Sequence, residues 1–292
     1  MKDFLLVILA VGLLAVCFLL QKLYQKRTDG STESSIDFSI LSGISSILFL
    51  VITNGFSLSF TWFSAINGTL KSACCLAYTV IGFKIMQAGN MSLYMLFLMS
   101  GGMLVPTVWG WAFLGEAPKL LHILGLIVIL VSIILNNLGS DRPSAKVLLM
   151  CSAVFVLNGF VSVFSKLHQV NVTYPMVSTV DYAVLSAIVT LVMSFGLKAF
   201  FAGRRGKKEK RKGKAILWPL LIAIAYSGIS SVSSILQLEG AKNLPASMLY
   251  PVITGGTIAF TGIFALIFFK EKLSLRGWIS VALCCLGTCF FV

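Results

Sequence analysis

The feature that most constrains this chain is a series of ten apolar runs, each about the length of a membrane helix, joined by short connections. They lie near 4–22, 38–60, 68–88, 91–114, 119–138, 145–166, 180–202, 215–238, 245–269 and 273–292. Hydrocarbon offers backbone N–H and C=O groups no partners, so a spanning segment is a helix of about 20 apolar residues. The runs are apolar all round and lack the charged stripe of a soluble amphipathic bundle. Composition agrees, with 58% hydrophobic and 11% charged residues, where a soluble domain carries about 25% charged. The first run, Phe4 to Leu20, is long for a signal-peptide core and has no small-x-small site before Lys22, which predicts a retained helix.

The runs repeat. Asp37-Phe-Ser-Ile-Leu-Ser-Gly-Ile44 returns as Asp181-Tyr-Ala-Val-Leu-Ser-Ala-Ile188, an offset of 144 residues, and the same offset carries Lys22 to Lys166. Ser100-Gly-Gly-Met103 returns as Thr254-Gly-Gly-Thr257, Ala88-Gly-Asn90 as Ala241-Lys-Asn243, and Glu116 as Glu271. Polar and glycine positions match in order, which separates a repeat from shared leucine content. Two units are expected, 1–139 and 140–292, the second carrying a basic loop at 203–214. Five helices per unit is an odd number, so the second unit enters the membrane from the opposite side. The expected fold class is an all-α integral membrane protein of ten transmembrane helices in two inverted five-helix repeats.

Net charge is +13, yet no aromatic residue interleaves with the basic cluster Arg204 to Lys214. That excludes a nucleic-acid platform and favours a loop that sets orientation or touches anionic lipid headgroups. Connections 1–2, 5–6, 7–8 and 9–10 hold 16 basic residues, and the opposite face holds five. The positive-inside rule puts the first set, with the loop 203–214, in the cytoplasm and both termini outside. The seven cysteines form no CxxC pair and the two histidines are far apart, so neither metal nor cofactor is expected.

The last spans of each half carry a family resemblance. Leu244-Pro-Ala-Ser247, Tyr250-Pro251, Thr254-Gly-Gly256 and Phe269-Lys-Glu-Lys-Leu-Ser274, with Val105-Pro106, Leu114-Gly-Glu116 and Leu124-Gly125, resemble the ten-helix EamA-type branch of the drug/metabolite transporter superfamily. The usual Trp-Gly pair of the first helix is missing. The resemblance implies a secondary transporter. It also implies cytoplasmic termini, against the charge count. The small four-helix relatives use a first-helix glutamate, and the first helix here has no acid between Phe4 and Gln21, which argues against proton-coupled export of quaternary cations.

Ionisable groups inside spans are functional candidates by default. Lys84 and Asp181 are the candidates for a charge in the pathway, and an acid at a helix start also explains Asp181. Glu116 and Glu271 are read as structural helix-start acids. The substrate-cavity candidates are Tyr94, Ser100, Gly101, Gly102, Asn158, Ser227, Ser230, Tyr250, Pro251, Thr254, Gly255, Gly256 and Thr257. The glycines also suit close helix crossings, and the prolines bend helices and free carbonyls.

Few charges and many hydroxyl and amide groups predict a transporter of a small neutral or zwitterionic metabolite, such as an amino acid, working by alternating access. It is expected in the plasma (bacterial inner) membrane, plausibly as a monomer. A membrane scaffold or regulator is the alternative. An intramembrane enzyme is disfavoured, because no base or ligand cluster lies at depth. No nucleotide-binding loop is present.

Overall fold

A computed structural model of the chain describes residues 2–28, 32–87, 91–137, 144–204, 217–269 and 275–291. Ten helices follow in order: α1 (Lys2–Arg27), α2 (Thr32–Thr53), α3 (Trp62–Gln87), α4 (Met91–Phe113), α5 (Leu120–Asn137), α6 (Ala145–Val170), α7 (Thr179–Arg204), α8 (Leu217–Asn243), α9 (Ala246–Phe269) and α10 (Leu275–Cys289). Glu271 and positions 205–214 of the basic cluster lie outside the described residues.

Helices α1, α2, α4, α6, α7, α8 and α9 are long and apolar enough to cross a membrane. Helices α5 and α10 hold shorter apolar stretches, Leu120–Leu135 and Leu275–Cys289. Helix α3 has 26 residues but is diluted by polar groups, among them Asn67, Lys71 and Ser72. Its start corrects the sequence reading. The apolar run expected to reach residue 60 stops at Thr53, and α3 begins at Trp62, six residues before the expected 68. The break is an Asn-Gly turn: Gly55 has φ 61° and Phe56 φ 57°, a left-handed conformation that glycine adopts without steric cost. The apolar residues that follow, Phe56, Leu58 and Phe60, are exposed and had masked the break.

Side-chain contacts fix the helix directions. Val7 meets Gly240 and Cys17 meets Tyr226, so α1 and α8 are antiparallel. Asn54 bonds Asp181 and Lys198 bonds Asp37, so α2 and α7 are antiparallel. Asn67 bonds Tyr182 and Ser72 bonds Thr190, so α3 and α7 are parallel. One face of the bundle therefore carries the chain ends and the connections 2–3, 4–5, 6–7 and 8–9. The other carries the basic connections. They are called the terminal face and the basic face.

Packing follows the repeat. Helix α1 packs on α8 as α6 packs on α3; α4 on α6 as α9 on α1; α2 on α8 as α7 on α3. Pairs α2–α7, α4–α9 and α5–α10 join equivalent helices of the two halves. Small residues make the close crossings. A Cβ on Gly101 would collide with the Phe155 backbone, and one on Gly256 would sit 2.9 Å from Val11; the offset of 144 carries Val11 to Phe155. At the α5–α10 crossing, Gly125 abuts Gly287 and Ser132 Oγ bonds Ser280 Oγ at 2.8 Å. The offset that carries Glu116 to Glu271 also carries Gly125 to Ser280 and Ser132 to Gly287, so each contact is the image of the other.

The symmetry breaks in two places among the described residues. Helix α8 packs on α6 and on α7, whereas the equivalent pairs α3–α1 and α3–α2 make no comparable contact among the described residues. Helix α5 also packs on α9 without a matching α10–α4 contact.

Candidate functional site

The α6–α8 contact lies at the terminal face and is polar. Lys166, buried at the end of α6, donates from Nζ to the carbonyls of Ala241 at 2.7 Å and Leu244 at 2.6 Å. The first is a last-turn carbonyl of α8 and the second lies just past the helix end, where carbonyls lack helical partners and meet the negative end of the dipole. Glu116 completes the turn from the other side. Its carboxylate accepts from the amides of Ala246 at 2.5 Å and Ser247 at 2.9 Å, at the start of α9. Gly115, with φ 68°, ends α4 and folds Glu116 back over Gly110, where any side chain would meet the carboxylate. A cation and an anion thus clamp the α8–α9 turn at its two dipole ends. Glu116 does sit at a helix start, that of α9 rather than of its own α5. Lys166 and Glu116 also border a terminal-face pocket with Phe113, Leu114 and Val170.

Beside this clamp a buried network joins α3, α6 and α7. Ser64 Oγ lies 2.8 Å from His168 Nε2 and accepts from the Val177 amide. Gln169 bonds the other imidazole nitrogen at 3.1 Å and accepts from Thr179. The Tyr182 ring stacks on His168 with centroids 3.8 Å apart, and its hydroxyl donates to Asn67 Oδ1 at 2.7 Å. Asp181 is buried and accepts from Asn54 at 2.7 Å and Ser178 at 3.0 Å. Ser178 in turn accepts from the Asp181 amide, a reciprocal N-cap of α7. Asp181 is thereby held at a helix start and tied to the 2–3 connection.

At the basic face the aromatic groups fall into two separate clusters. Tyr24, Phe38, Ile222 and Ala223 join α1, α2 and α8, with Tyr226 packed on them. Ile85, Tyr94, Val147, Cys151 and Val154 join α3, α4 and α6, with Tyr78 packed on them. Between the clusters, α1 and α3 make no comparable contact among the described residues, and the space between them is called the cleft. Helix α3 supplies its inner wall. Ser64, Gly68, Lys71, Cys75, Tyr78 and Gly82 recur at spacings of four and three, one stripe of a helix. Trp62, Ile66, Leu70 and Lys84, on the opposite side of α3, are exposed. Ser64, Gly68 and Gly82 are buried, while Lys71, Cys75 and Tyr78 at the centre of the same stripe keep accessible surface. That surface faces the interior of the bundle. Tyr78 is close enough to Tyr226 of α8 and Tyr94 of α4 for electrostatic interaction, and Ser230 bonds both Cys17 and Tyr226. Above the cleft, Lys71 Nζ stands 5.0 Å from the centre of the Tyr182 ring, beneath the terminal-face network.

The sequence candidates divide accordingly. Tyr94 and Ser230 border the cleft, and Tyr250, whose hydroxyl donates to the Ser162 carbonyl at 2.6 Å, lies within electrostatic range of Tyr182 in its roof. Asn158 donates to the Leu98 carbonyl at 2.7 Å and Ser227 to the Ser42 carbonyl at 3.0 Å; both join helices. Gly101, Gly102, Gly255 and Gly256 are close-packed crossings. Ser100, Pro251, Thr254 and Thr257 are buried, and the Thr257 hydroxyl has no hydrogen-bond partner. Lys84 is exposed at the basic end of α3, away from the cleft. Sequence reasoning missed Lys71, Tyr78, Tyr182, Tyr226 and His168. The stripe on α3 was readable, but only with α3 started at Trp62.

The model of the EamA-like transporter family matches residues 144–292, just over half the chain. The chain belongs to the EamA-like transporter family. It is a multi-pass membrane transporter of the drug/metabolite type. A solved crystal structure aligns with 99% of this EamA-like chain and 96% of its own length, with a TM-score of 0.75. At 14% identity that likeness shows the fold alone. No curated protein sequence matches the chain.

Proposed function

We propose that this chain moves a small neutral or zwitterionic metabolite across the plasma (bacterial inner) membrane by alternating access between two inverted units, 1–139 and 140–292. The observation that carries the reading is the broken symmetry. The pair α6–α8 is joined at the terminal face, and its image α1–α3 makes no comparable contact among the described residues. Two such states interconvert when one half takes up the arrangement of the other. The structure then corresponds to a state sealed at the terminal face and open at the basic face. The loop charges favour a cytoplasmic basic face; in that orientation this state is inward-facing and the basic loop meets anionic headgroups.

The test is counterflow in liposomes holding the purified chain and loaded with unlabelled amino acids. Transient accumulation of a radiolabelled amino acid outside its gradient is expected. Folded protein that exchanges none of a panel of neutral and zwitterionic metabolites refutes the proposal. Cysteine labelling at 204–214 from the outside alone refutes the orientation.

A further inference from the structure

Lys71 is the unusual charge in this molecule. It lies nine residues into α3, about 13 Å along the helix, in a bilayer whose hydrocarbon is about 30 Å thick. An ammonium there costs about 3 kcal/mol even on the lenient insertion scale. Intramembrane cations are normally paired. Among the described residues, no carboxylate and no hydrogen-bond acceptor pairs with Lys71. Its ammonium stands 5.0 Å from the face of Tyr182 and within electrostatic range of Cys75 and His168, and a tyrosine face compensates only part of the lost hydration. Asp181 is occupied by Asn54 and Ser178, Glu116 by the α9 amides, and Glu239 by Lys242 at 2.7 Å. The side chain does not snorkel to lipid, because it sits on the interior stripe of α3 and points beneath the roof of the cleft.

We infer that Lys71 is the anchor for a carboxylate of the transported molecule, so that the substrate is a small monocarboxylate or a zwitterion bearing one. This deepens the transport reading and rests on it. A single ammonium at the anchor matches one negative charge. A phosphate dianion would leave a net charge in a low-dielectric cleft, which is unfavourable. Tyr78, Tyr226 and Tyr94 give the rest of the molecule an apolar wall with polar tips. The Tyr182 ring meets both the Lys71 ammonium and the His168 imidazole, so an anchored group would touch a ring of the terminal-face network.

The experiment uses the purified full chain and matched probes: L-phenylalanine with phenylalaninamide, and phenylacetate with phenylacetamide. Binding is read by thermal stabilisation in detergent and exchange by counterflow in liposomes. The carboxylates are expected to stabilise the protein and the amides not to. Lys71→Gln is expected to weaken carboxylate binding about 10- to 100-fold, the loss of one charge-assisted hydrogen bond. Lys71→Arg, which keeps the charge, is expected to retain much of it and controls for folding. Equal binding of acid and amide, a Lys71→Gln protein with unchanged preference, or no stabilisation by either carboxylate overturns the anchor. Inorganic phosphate binding more tightly than the carboxylates overturns the single-charge assignment. Exchange of the amides with no acid preference would leave the transport reading standing while removing the anchor. Lys71-dependent binding without exchange would do the reverse.

Discussion

Replacing Lys166 with Met tests whether the terminal face is held shut by the clamp on the α8–α9 turn. Methionine fills the same space but makes neither bond to Ala241 nor to Leu244. Each hydrogen bond from a charged donor contributes about 1.5–3 kcal/mol, and the cost of burying the ammonium offsets part of the sum. A net loss of about 2–3 kcal/mol from the sealed state shifts its population about 30- to 150-fold, at 1.4 kcal/mol per tenfold. Spin labels at Val172, which is 97% exposed, and at exposed Asn243 report the separation of the α6 and α8 ends, with the native cysteines replaced. A longer-distance component, minor in the parent, is expected to become prominent in Lys166→Met. An unchanged distance distribution in folded protein would refute the clamp. Global unfolding would erase the defined distances altogether and so is distinguishable from opening.

Glu116→Gln keeps one acceptor at the start of α9 and removes the charge. It is expected to cost about 1–2 kcal/mol, read as a lower unfolding midpoint in detergent; an unchanged midpoint contradicts the cap. Gly101→Ala should separate α4 from α6 and lower the yield of monodisperse protein, whereas Gly196→Ala, where an added Cβ meets nothing within 4 Å, should be neutral or mildly stabilising. Equal behaviour of the two variants would refute the crossing. Asp181→Ala frees Asn54 and Ser178, and amide exchange across residues 54–61 is expected to rise about tenfold. Protection equal to the parent would show that the loop is held elsewhere.

Much of the architecture was legible because hydrocarbon is an unforgiving solvent. Ten apolar runs became ten helices, and Gly102 and Gly256, matched between the halves, face α6 and α1 at their crossings. The second boundary failed because Phe56, Leu58 and Phe60 keep hydropathy high through a loop that the Asn54-Gly55 dipeptide begins. That error hid the central cation. With α3 started near 68, Lys71 reads as a loop charge; with α3 started at Trp62 it lies more than two turns deep. Glu116 was read on its own helix because sequence shows neighbours in the chain, while its partners at Ala246 and Ser247 are 130 residues away or more. Hydroxyl and glycine positions were visible as a class, but which of them face a cleft and which join helices depends on where the halves stand apart.

That separation has a thermodynamic consequence. In a chain whose halves were identical, sealing one face or the other would be the same event seen from opposite sides, and the two states would be equally populated. Here the register that pairs Lys166 with Lys22 and Gln169 with Gln25 pairs His168 with Tyr24. Identical pairs contribute to both states alike. The resting preference of the molecule is therefore set by the positions where its halves disagree, and exchanging such residues between them is a way to move the equilibrium without touching the cleft.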